Sequence, residues 1–117
     1  MLMKAINGAR MRICGNSTEI TIRDSASALK DFRTEFGSYA PLLDQRRGDP
    51  SFDELKRRAV FALGMDKADL VLVLHVEALD NVPVKREVRA YPKDEKGLVL
   101  AIARWSEEDG LSVHSIN

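Results

Sequence analysis

Leu70-Val71-Leu72-Val73-Leu74-His75-Val76-Glu77-Ala78 decides how this chain is read. The run is too short to cross a membrane, and its valines favour an extended backbone. A strand this apolar is buried on at least part of both faces. Alternation sends Leu70, Leu72, Leu74 and Val76 to one face, and Val71, Val73, His75 and Glu77 to the other.

Downstream, Val84–Tyr91, Leu98–Trp105 and Leu111–Ile116 read as three further strands. The polar segments Pro92–Gly97 and Ser106–Gly110 separate them, and links this short imply antiparallel hairpins. The first hairpin has two possible registers. A two-residue loop at Asp80-Asn81 sets Leu74 opposite Glu87 and Leu72 opposite Arg89, which turns charge toward the core. A loop of about five residues, Leu79–Pro83, instead sets Leu74 against Val88, Leu72 against Ala90 and Val76 against Arg86. It also brings His75 to Glu87 and Glu77 to Lys85, an opposite-charge pairing that favours this second register.

Upstream, Met3–Ile6 and Ala9–Cys14 flank Asn7-Gly8, whose residues tolerate the positive φ of a tight hairpin turn. With Thr18–Arg23 they form an N-terminal meander. A helix capped by Asp24 or Ser25 follows, carrying Phe32 and Phe36 on its inner face and stopping at Gly37. Residues 38–50 read as a loop. Ser51-Phe52-Asp53-Glu54 is a capping box that opens a second helix, with Phe52, Leu55, Ala59, Ala62 and Leu63 inward and Gly64 as its stop. The expectation is a single α+β domain over residues 1–117. Its antiparallel β-sheet, an N-terminal meander plus a C-terminal four-stranded meander, packs against two α-helices.

The 117 residues carry 18 basic and 18 acidic side chains. That balance argues against broad nucleic-acid binding, which draws on a basic excess. Cys14 is the only cysteine, so no internal disulfide forms and a reducing, cytoplasmic setting is expected. The opening residues are too soon interrupted for a signal peptide, and no stretch reads as a membrane span.

The strand face opposite the helices is not simply polar. Continuing the alternation from Leu98 puts Val99, Ala101, Ala103 and Trp105 beside Val71 and Val73. Such a patch requires a cover, either the N-terminal meander or another chain. Trp105 is the expected anchor in the second case. Arg46, Arg47, Arg57 and Arg58 form a basic stretch that can hold an anion. His75 (with Glu87) and His114 are the candidate acid–base groups, although a simple meander holds the histidines apart. No phosphate loop, cofactor motif or metal-ligand spacing is present in the sequence, so neither cofactor nor metal is expected. Two readings follow. One is a non-catalytic cytoplasmic interaction domain (a small regulator, adaptor or immunity-like inhibitor) that binds a protein partner or a second copy through its sheet face. The other is a small RNA-cleaving or RNA-binding enzyme using the basic stretch with His75 or His114.

Overall fold

Asn7-Gly8 turns the chain as its composition requires, with Gly8 at φ 76° between β1 (Leu2–Ile6) and β2 (Ala9–Cys14). The structure, a computed structural model, describes residues 1–44, 48–94 and 97–116. β3 (Ser17–Arg23), β4 (Leu70–Leu79), β5 (Val82–Pro92), β6 (Ala101–Ser106) and β7 (Gly110–Ser115) complete the set. All seven lie in one antiparallel sheet, side by side in chain order. The N-terminal meander therefore extends the sheet at its edge, through β3–β4 pairing, and does not fold over it.

Between β3 and β4 the chain leaves the sheet for α1 (Ala26–Glu35), a 3-10 helix (Gly37–Leu43) and α2 (Phe52–Leu63). The expected loop over 38–50 thus begins as a helix. Pro41 sits inside it, and Ala40, Leu42 and Leu43 are buried. Ser25 caps α1 by accepting from the Ala28 amide, and Ser51 caps α2 by accepting from the Glu54 amide. The Glu54 carboxylate accepts from Arg58, one turn on, at 3.2 Å. Gly64 ends α2 in the left-handed conformation at φ 63°. A half-buried lysine joins this layer to the sheet: Lys56 on α2 lies 3.4 Å from Asp24, just after β3.

One face of the sheet lies under these helices. α1 meets β2 and β3, whereas α2 crosses β5, β6 and β7. Ile20, Ile22, Leu72, Leu74, Val76, Val88 and Ala90 pack there against Phe32, Leu55 and Ala59. The β4–β5 register pairs Leu74 with Val88, Val76 with Arg86, His75 with Glu87 and Glu77 with Lys85, as the apolar pattern demands. The connection differs from the expected five-residue loop. Asp80 and Asn81 form a two-residue turn, both at positive φ, and a register shift between Glu77 and Ala78 supplies the missing residue. A β-bulge reconciles a turn of one parity with a core of the other.

Arg86 is fully buried on the helix-covered face. Its guanidinium donates to the carbonyls of Leu43 and Asp44, where the 3-10 helix ends, and lies 5.2 Å from the centre of the Phe52 ring. The terminal carbonyls of a helix lack internal partners, and a cation there satisfies them while its planar head stacks on the aromatic. Arg86 thereby ties the end of the 3-10 helix to the first residue of α2.

The placement of β6 corrects one expectation. Val88 pairs with Ala103, Ala90 with Ala101 and Arg86 with Trp105, so Ala101, Ala103 and Trp105 share the helix-covered face. Leu98 and Val99 precede the strand, so the alternation cannot be carried through from them. Beneath α2 the sheet presents methyl groups, and Ile102 and Arg104 take the other side.

A side chain at Gly8 would lie 2.9 Å from Cβ of Ala28, in addition to the strain of its positive φ. Gly15 (φ 60°) has open space around it. Gly15→Ala is therefore expected to cost about 1 kcal/mol, for backbone strain alone. Gly8→Ala should cost about 1 kcal/mol more, because α1 must also retreat. Urea denaturation of the two variants measures the difference.

Candidate functional site

The face of the sheet away from the helices carries the residues that remain for function. Row by row, strand pairing determines which of them meet. One row crosses all seven strands: Ala5, Arg10, Thr21, His75, Glu87, Arg104 and Ser112. The adjacent row runs from Met3 through Arg12, Glu19, Glu77 and Lys85 to Ser106. On the other side lie Arg23, Val73, Arg89, Ile102 and His114, with Val71 and Tyr91 beyond them.

Glu87 is the most enclosed polar group here, its side chain only 1% exposed although no helix covers it. Long neighbours roof it. Arg104 donates to Oε1 from Nε at 3.1 Å and from a terminal nitrogen at 2.7 Å, and Arg89 reaches Oε2 at 3.3 Å. Burial pulls the Glu87 carboxyl upward, but the Arg104 hydrogen bonds and both guanidinium charges outweigh it and hold the group below its ordinary value.

His75, half-buried, sits 2.9 Å through Nδ1 from the Thr21 hydroxyl. Burial depresses its pKa against the upward pull of Glu77, Glu87 and Glu19, so the ring is neutral near pH 7. Glu19 and Glu77 face each other directly across β3 and β4. Arg12 pairs with Glu19 at 2.8 Å and Lys85 with Glu77 at 3.3 Å. Burial raises the Glu77 carboxyl, while hydrogen bonding to Glu19 and Lys85 and the charge of Lys85 bring it below its ordinary value. One donor atom from each of Glu19, His75 and Glu77 lies within 4.8 Å of the others. Sequence spacing conceals this group, since β3 reaches His75 from far upstream; Thr21 is 54 residues from it in sequence.

The expected interface residues divide between the two sides. Val71 and Val73 are half-buried on the open face, whereas Ala101 and Ala103 are buried under the helices and Trp105 is half-buried on that same side. Val99, half-buried, precedes β6. Among the described residues, the basic stretch and the acid–base groups do not come together. Arg57 and Arg58 are exposed on α2, in the layer across the sheet from His75 and Glu87, and Arg46 and Arg47 lie outside the described residues. His114 is exposed on β7, three strands from His75. Cys14 ends β2 and is exposed. Sequence reasoning missed Phe61, which is 88% exposed on α2, and the buried guanidinium of Arg86.

Among the described residues, no helix is long and apolar enough to cross a membrane. Comparison of the chain with protein-family models, curated proteins and solved structures yields no match.

Because the Glu87 carboxyl is depressed in the folded chain, its stabilisation is complete above the unfolded value of about 4.3 and is lost as pH falls through the folded one. Glu87→Gln is expected to lower stability at pH 7 by about 1–3 kcal/mol. The gap between variant and parent should narrow as pH is lowered through about 4 toward 2. Thermal melts across that range read both effects.

Proposed function

We propose that the chain is a non-catalytic protein-interaction domain, a small cytoplasmic regulator, adaptor or inhibitor, which binds an acidic protein surface through the open face of its sheet. The charge distribution carries this reading. Although the whole chain is neutral, the strands of the open face carry Arg10, Arg12, Arg23, Lys85, Arg89 and Arg104 with Glu19, Glu77 and Glu87, while Glu107, Glu108 and Asp109 of the β6–β7 turn border its Lys85–Arg104 corner. Six cations against three carboxylates leave the strand rows basic away from that corner, around Arg10, Arg12 and Arg23, and complementary charge steers association with an acidic partner. Half-buried Val71, Val73, Tyr91 and Ile102 supply apolar area within the same surface.

That charge also ranks the partners. A symmetric dimer would lay the patch on its own copy, basic against basic, so a different and acidic protein fits better than a second copy. The RNA-cleaving reading gains less support, because Arg57 and Arg58 lie across the sheet from His75 and His114.

A defined probe tests the proposal. Wild-type protein is expected to bind a glutamate-rich peptide with an affinity that falls as salt rises. Arg10 and Arg23 are exposed and make no ion pair among the described residues, so they can be reversed without breaking the lattice. Arg10→Glu with Arg23→Glu should weaken binding about tenfold or more, roughly 1.4 kcal/mol. Arg57→Glu with Arg58→Glu on α2 should leave it unchanged. Binding to single-stranded RNA but not to the peptide, or a stable dimer by light scattering, would overturn the assignment.

A further inference from the structure

We propose that Glu19, His75 and Glu77 form a binding site for one divalent transition-metal ion of the zinc class, set on the open face of the sheet. The site is independent of the docking proposal above and rests on three donors that strand pairing brings together. Glu19 lies opposite Glu77, and His75 lies two residues along β4 on the same side, opposite Thr21. Their donor atoms fall within 4.8 Å of one another. Zinc holds nitrogen and carboxylate oxygen at about 2.0–2.2 Å, so its ligand atoms stand about 3.5 Å apart. Side-chain rotation of about 1 Å at the carboxylates closes that difference, well within the reach of half-buried glutamates.

Each donor is already oriented by a neighbour. Arg12 and Lys85 engage Oε2 of Glu19 and of Glu77 from the two outer sides. Each carboxylate has a second oxygen that these ion pairs do not use. The Thr21 hydroxyl lies 2.9 Å from Nδ1 of His75 and fixes the ring. Support of this kind, a hydroxyl behind the histidine and cations behind the carboxylates, is what fixes metal ligands in place. Glu19 and Glu77 meet closely enough to hydrogen-bond; with both ionised they repel each other, and a cation between them removes that repulsion.

Donor chemistry selects the ion. Calcium and magnesium prefer all-oxygen shells, whereas an imidazole with two carboxylates suits zinc and its neighbours. Three protein ligands on an open surface leave a coordination position facing solvent, adjoining a groove of about 150 Å³ that Met3, Arg10 and Arg12 also line. A water or an anionic group of a partner can occupy it.

Zinc chloride titrated into the chelator-treated full chain provides the test, read by calorimetry and by the histidine ring signals in NMR. The expected result is one ion per chain, with the His75 ring shifting and the His114 ring unmoved. His75→Gln and Glu77→Gln should each weaken binding about tenfold or more. His114→Gln and Cys14→Ser should bind as the parent does; Cys14 is the control because it lines a hollow beside Glu19. The wild-type His75 signal needs no variant to fold, so its failure to move overturns the site. Unchanged affinity in His75→Gln, or loss of binding in Cys14→Ser or His114→Gln, overturns it equally.

Discussion

A single extra residue in β5 governs which side chains of this sheet meet water. Asp80 and Asn81 make a two-residue turn, and such a turn alone sends Glu87 and Arg89 toward the helices. Their charges, desolvated without the partners they now have, would be costly there. The register shift beside Glu77 moves the rest of β5 by one position. Val88 and Ala90 then enter the core, and Glu87 joins His75 on the open side. Both the basic face and the glutamate–histidine group depend on that shift, because one residue of slip would exchange the faces of the strand.

The open face is ordered without a covering layer because its long side chains cover one another. Glu87 is enclosed by Arg89 and Arg104, and Glu19 and Glu77 are flanked by Arg12 and Lys85. Exposed pairs of this sort contribute little individually, but a linked lattice holds its members in fixed positions. A surface arranged in advance loses less side-chain entropy when a ligand or partner arrives.

Much of the fold was legible in the residues. Leu70–Ala78 announced a strand, Asn7-Gly8 and the serine caps marked their turns and helix starts, and the β4–β5 pairs followed from matching apolar positions. Where the reading failed, a distant contact had overridden a local pattern. Ala101 and Ala103 lie under α2 since a helix can approach methyl groups closely, and nothing within Leu98–Trp105 declares that a helix passes there. The 3-10 helix around Pro41 draws on Arg86 for its terminal carbonyls, a bond spanning 43 residues at Leu43. Of the candidate site, the His75–Glu87 pair was readable from one hairpin. Glu19 was not, because only the closure of β3 on β4 brings it there.

That closure stands apart from every other pairing in the molecule. Six seams join seven strands, and five are made by neighbours that follow one another after a short reversal. Such seams zip locally, at little entropic penalty. The β3–β4 seam alone must wait for the whole helical insertion to be gathered, a loop whose closing costs more than any turn. Assembly of the two strand groups about the insertion is thus the natural slow event in folding, and the glutamate–histidine group, which straddles the seam, comes into being only when it ends.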